Sequence, residues 1–276
     1  MILSVALVVA LAAPAEDARY AAEAIDALES MDAAAKATND YTMRLVKQEL
    51  IDRKLLPAET LVIKWQRPQK IYVKQNDGKR EGQEALYVPG WNKNRLRVHK
   101  WFVWNIDPYG MLAMHEVHHP ITEVSLVHLV ELVLDNARRA RAKGVGTLAF
   151  AGKEKLFGRP VVRVEATYPP TGKTPTIVEG ETLWDVAKAT GQSMYVILHA
   201  NERRGWTQAD HPKPGDALIV PEFYAGRVVL WIDEALHLPL QIDLYDHEGA
   251  LYEHYEHHDL KINVGLTAAD FDPKKF

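Results

Sequence analysis

His115-Glu116-Val117-His118-His119 satisfies the spacing H-E-x-x-H. On a helix this spacing sets two imidazoles on one face to hold zinc, with the glutamate beside them as a general base. Here Pro120 follows the last histidine directly. Proline biases the preceding residue away from helical geometry and more naturally opens a following helix. The segment is therefore expected to precede a helix, and His119 to serve as a cap or a pocket-rim residue. A second His/carboxylate group occurs in "EHYEHHD". On a strand His254, Glu256 and His258 share one face, and Tyr255, His257 and Asp259 take the other. The His115/His119 and His254/His258 patches could meet across a sheet and bind zinc or nickel, which leaves a metal-dependent envelope enzyme as an alternative. Solvated polar strand faces explain the same residues, so no metal-binding residue is assigned.

No other catalytic set stands out. The chain has no Cys, no G-x-S-x-G and no phosphate-cradling loop. Acidic residues are abundant, but no spacing singles out a glycosidase pair. The expectation is a non-enzymatic protein with no catalytic residues and no cofactor.

The elements that must position these groups follow from pattern. Residues 17–38 are Ala-rich, with Tyr20, Ile25, Leu28 and Met31 on one side of an amphipathic helix. From Asn39, short alternating stretches rich in β-branched and aromatic residues ("DYTMRLVKQELID", "ETLVIKWQRP", "QKIYVKQND", "QEALYVP", "RLRVHKWFVW") are punctuated by turn residues. A long helix is expected to open at Pro120 and to stop at Gly144, with Arg138, Arg139, Arg141 and Lys143 complementing its C-terminal dipole. Strands resume with "PVVRVEATY" and continue through "RVVLWID", "PLQIDLYD" and "ALYEHYEHHDLKINV", with Asp246-His247-Glu248-Gly249 as a hairpin turn. The expected class is α+β: one antiparallel sheet that keeps its helices on one face.

Between "RPVVRVEATYPP" and "GRVVLWID" the texture changes. Thr176–Val178 reads as a strand. Thr182 caps a helix with Asp185 three residues on, and Gly191 ends it. Ser193–Ala200 is a second helix, and Ala217–Val220 returns as a strand. "V-x-x-G-E-T-L-W-x-V-A", "G-Q-S", Asn201 and "K-P-G-D-x-L-I-V-P" stand in the order of a LysM domain, which this stretch resembles. That family binds N-acetylglucosamine-containing glycans such as peptidoglycan. The resemblance implies a glycan site at Gly180, Glu181, Thr182 and Leu183, facing Lys213, Pro214 and Gly215. Glycine backbones permit close approach of a sugar ring, backbone groups hold an acetamido group, and an apolar side chain meets the ring face. "ERRGWTQADHPK" is longer and more polar than the usual link, and Trp206 within it is a candidate stacking platform.

The flanking sequence resembles an uncharacterised family of exported bacterial proteins related to the LolA-like lipoprotein carriers. "YTMRLVKQE", "RPQKIYVKQ", "GQEALYVPGWN", "HHPITEVSL" and "LWIDEALHLPLQIDLYDHEGALYEHYEHHDLKINVGLTAADFDP" carry that likeness. It implies a LolA-like half-barrel packed on helices, with an apolar cavity. A filled core would use the same residues.

The 276 residues are 47% hydrophobic and 25% charged, with net charge -4, so no nucleic-acid surface is expected. Ile2–Ala13 is apolar and leads to Ala13-Pro14-Ala15, which fits a signal peptide over 1–15. No Lys or Arg precedes that run, so a buried N-terminal strand or helix is the alternative. The expected organisation is a signal peptide (1–15), a LolA-like domain (16–173 plus 223–276) and an inserted LysM domain (174–222). An exported, periplasmic protein is expected, not integral to a membrane. Peptidoglycan is its expected partner, and the carrier-like domain leaves lipid or lipoprotein open as a further ligand. A structural scaffold with a filled core is the remaining alternative.

Overall fold

The computed structural model describes residues 18–202, 206 and 210–275. The expected signal peptide lies outside them. Two helices, α1 (Ala22–Ala37) and α2 (Leu126–Lys143), accompany the strands β1 (Asp40–Ile51), β2 (Lys54–Leu55), β3 (Glu59–Gln66), β4 (Lys70–Gln75), β5 (Glu84–Tyr87), β6 (Leu96–His99) and β7 (Val103–Ile106). After α2 come β8 (Thr147–Leu156), β9 (Arg159–Thr167) and β10 (Gly172–Lys173), then α3 (Leu183–Thr190) and α4 (Met194–Asn201). The chain closes with β11 (Val220–Pro221), β12 (Arg227–Asp233), β13 (Pro239–Tyr245) and β14 (Leu251–Ile262).

The large curved sheet is antiparallel, in the order β7-β6-β5-β4-β3-β1-β14-β13-β12-β9-β8, with β2 paired to β1. This is the expected α+β class. Alternation selects the buried face. Tyr41, Met43 and Leu45 on β1, Leu61, Ile63 and Trp65 on β3, and Val228, Leu230 and Ile232 on β12 join α1 and α2 in one core. Tyr41 stacks on Trp65 at 5.2 Å between ring centroids, and its hydroxyl accepts a hydrogen bond from the Leu126 amide at 2.9 Å. One of the free amides at the start of α2 is thereby satisfied inside the core.

Three local expectations are corrected. α2 opens at Leu126 rather than Pro120, because the Ser125 side chain caps it by accepting from the His128 amide. Pro120 begins a turn whose carbonyl accepts from Glu123 and Val124. "RLRVHKWFVW" is two strands, β6 and β7, turning at Lys100–Phe102. Thr176–Val178 is not a strand: the Val178 amide is taken by the Glu181 carboxylate at 2.7 Å, and the strand pair that closes the insert is β10 with β11.

Other local signals hold. Thr182 and Asp185 form a reciprocal capping box, and Gly191 ends α3 in the left-handed region. Asn201 is buried at the end of α4, where its side chain donates to the Ile197 and Ile219 carbonyls and accepts from the Ile219 amide. The insert has its own small core of Ile177, Leu183, Val186, Ile197 and Leu218, joined by Met114 from the loop before α2. It also leans on the sheet domain through His199, whose Nε2 lies 3.1 Å from an Asp246 carboxylate oxygen. Excision of 174–222 therefore uncovers Met114 and removes the His199 partner of Asp246.

Candidate functional site

A cavity of about 1110 Å³ lies between the buried face of β1 and β3–β6 and the start of α2. Leu45, Leu61, Ile63, Val73, Val98 and Leu129 form much of its wall. On β1 and β3 the wall positions are two residues apart, so the sheet's alternation places them on one side. Lys47, Glu49, Glu59 and Arg80 add a polar region. Val103, Trp104 and Leu112 line the cavity and are also exposed, Leu112 at 81%. Beside them Trp101 and Phe102 project into solvent at 79% and 70% exposure. An apolar edge of this kind marks an entrance or an interaction surface.

One lining residue has a buried nitrogen without a hydrogen-bond partner among the described residues. His257 donates from Nδ1 to the Pro239 carbonyl at 2.8 Å, which leaves Nε2 as an acceptor. That atom is buried and has no hydrogen-bond partner among the described residues. Burial pulls the His257 pKa down to about 4, so the ring is neutral near pH 7.

Next to the cavity, β1 and β14 bring two carboxylates together. Glu49 and Glu253 are direct cross-strand neighbours on the buried face, and both are almost fully buried. Like charges so placed repel unless each is neutralised. Lys47 pairs with Glu49 at 2.8 Å, and the Tyr255 hydroxyl donates to it at 2.8 Å. Glu253 receives His118 Nδ1 at 2.8 Å, the Tyr224 hydroxyl at 2.5 Å and His119 Nε2 at 3.3 Å. Burial alone would raise the Glu253 pKa, but His119 and His118 outweigh it and hold the carboxyl below its usual range. Burial likewise opposes charge on His119, yet Glu253 leaves the His119 pKa raised.

The structure separates the histidines of the sequence motif. His115 is exposed, whereas His118 and His119 are buried against Glu253. His254, Glu256 and His258 do lie together on one face, with Nε2 of each histidine near a Glu256 oxygen, at 3.3 and 2.6 Å. Residues 253, 255 and 257 occupy the opposite, buried face, so the two patches do not meet across the sheet as a joint site. Sequence reasoning passed over Glu253 and Glu49. The available signal was an acid on the same strand face as Tyr255 and His257.

Of the expected glycan residues, Gly180 and Gly215 have positive φ, 85° and 92°, with open space where a Cβ would sit. Glu181 and Thr182 are held in the turn and cap already described. Leu183 is buried in the insert's core, which leaves its backbone for any ligand. The Lys213 amide donates to Asp216 at 2.6 Å, and Pro214 and Gly215 form the turn between them. Trp206 packs against the insert's core.

A family model described as a protein of unknown function, DUF1571, matches residues 38–192 and 187–275. The chain belongs to that family. No protein with a curated description matches this DUF1571 chain. Among solved structures, it is similar to the MucA/MucB complex of Pseudomonas aeruginosa, with a TM-score of 0.45 and 14% identity, covering 91% of this chain and 61% of that one. The lipoprotein LppX of Mycobacterium tuberculosis gives 0.45 and 11%, covering 91% and 98%. A LolA superfamily protein of Nitrosomonas europaea gives 0.34 and 10%, covering 92% and 99%. The chain spans 61% and 63% of the first two matched structures. No helix among the described residues is long and apolar enough to cross a membrane.

Proposed function

We propose that this DUF1571 chain is an exported, periplasmic binding protein whose LolA-like domain holds an acyl lipid, free or attached to a lipoprotein, and whose LysM-like insert attaches it to peptidoglycan. The observation that carries the first half is the cavity of about 1110 Å³, with its aliphatic walls and exposed apolar edge. Its volume is at the upper end for small-molecule sites, at or above about 1,000 Å³. Acyl chains suit the aliphatic wall, and the polar region of Lys47, Glu49, Glu59 and Arg80 suits a polar head. An open cleft of this size with aliphatic walls favours a ligand over the filled-core scaffold. Mass spectrometry of lipid extracted from protein purified out of its own envelope tests this. Stoichiometric acyl lipid is expected; protein that stays lipid-free after incubation with envelope lipid counts against a carrier.

The second half is supported by the capping box, the buried Asn201 and the two open, positive-φ glycines at the insert's turns. Val178, 60% exposed beside Gly180, offers the apolar contact that buried Leu183 does not. Purified sacculi are expected to pull down the full chain, and soluble N-acetylglucosamine oligomers to compete. Retention in the supernatant, with the protein folded by circular dichroism, would remove the glycan from the proposal.

A further inference from the structure

We infer that His119, Glu123 and His128 form a binding site for a first-row divalent cation, zinc foremost. One donor atom from each residue lies within 4.8 Å of the other two. His128 Nε2 and a Glu123 carboxylate oxygen are 3.9 Å apart, and the two imidazole centroids are 6.2 Å apart at 73°. With metal–ligand bonds of about 2.0–2.2 Å, two donors on one tetrahedral ion sit about 3.3–3.6 Å apart. Bringing donors from within 4.8 Å to that spacing asks for a shift of about 1 Å.

The frame around these side chains is fixed. The Pro120 carbonyl accepts from the Glu123 amide at 2.7 Å and the Val124 amide at 3.1 Å, which sets the turn carrying Glu123. Ser125 caps α2 through the His128 amide, which sets the backbone of the third donor. A second, independent feature is the partner of His119. Its Nε2 faces the Tyr224 hydroxyl at 3.1 Å and Glu253, which leaves Nδ1 for a metal. A carboxylate behind a histidine ring is the arrangement that fixes tautomer and orientation in metal sites. Two imidazoles and one carboxylate suit zinc, and three protein donors leave one tetrahedral position open. His254 also has a carboxylate behind its ring, Asp243 at 2.6 Å, but His254, Glu256 and His258 do not bring one donor atom of each within 4.8 Å of the other two, and they serve as the internal control.

The test uses the full chain, purified without a His tag, stripped with chelator and titrated with zinc against a chromophoric competitor. One equivalent is expected to bind, and cobalt(II) is expected to give visible d–d bands of low-coordinate geometry. His128→Ala and Glu123→Gln should each weaken zinc binding by about a hundredfold or more, and Tyr224→Phe, acting through His119, by about tenfold. The double variant His254→Ala/His258→Ala should bind as the unaltered chain does. His128 is half-buried on the helix surface, so its alanine variant is expected to keep the wild-type circular dichroism and melting curve. Substoichiometric binding by the unaltered chain, unchanged affinity in folded His128→Ala, or loss of the ion in the control double variant would each overturn the site.

Discussion

Glu253→Gln is expected to lower the unfolding free energy by about 3–5 kcal/mol, the usual cost of removing one member of a buried charged set. Glu253 accepts from Tyr224 and faces both His118 and His119. The amide keeps the shape but removes the charge that balances the histidines and replaces an acceptor oxygen with a donor. Urea unfolding of metal-stripped protein should show a lower midpoint with an unchanged slope. The pH dependence has a defined sign. The folded pKa of Glu253 is depressed, so its contribution is present above the ordinary carboxylate range and is lost as pH falls through the folded value. The folded pKa of His119 is raised, so its contribution is complete below the ordinary histidine value of 6.5 and is lost as pH rises through the folded value. In Glu253→Gln the alkaline loss should largely disappear. A midpoint within experimental error of the unaltered protein would show that the cluster does not hold the sheet to the loop before α2.

Ala85→Trp is expected to reduce bound lipid at least tenfold while leaving the fold intact. Ala85 lines the cavity on β5, between Val73 and Val98 in the ladder. An indole there extends into open volume, so the overpacking penalty of about 1–3 kcal/mol seen in filled cores should be reduced. Lipid mass spectrometry and a melting curve on the same preparation separate occlusion from unfolding. Wild-type lipid content in the folded variant would place the ligand elsewhere. If lipid binding falls while sacculus binding persists, the two halves of the proposed function reside in separate parts of the chain.

Local chemistry made much of this legible. Alternation along β1, β3 and β14 identified strands and their faces, because a strand's side chains repeat every two residues. Gly144, Gly191 and the Thr182–Asp185 box marked helix ends, because they answer needs of the nearest backbone groups. Boundaries failed where two local signals competed. Pro120 suits a first helical turn, but Ser125 caps better, so Pro120 starts the preceding turn instead. Thr176–Val178 has strand composition, but a carboxylate took the Val178 amide.

The α+β class, the positions of most strands, the long helix and the interruption after β9 were all written in the chain itself. Each follows from periodicity and from capping groups within a few residues. The roles of the histidines and acids emerged with folding alone. Glu49 and Glu253 are far apart in sequence and adjacent in the ladder, and His119 reaches Glu253 from a loop before α2. The pairing of distant charges, the void beneath β3–β6 and the convergence of His119, Glu123 and His128 depend on how the sheet curves against α2. Contacts between remote segments carry no spacing that a single sequence displays.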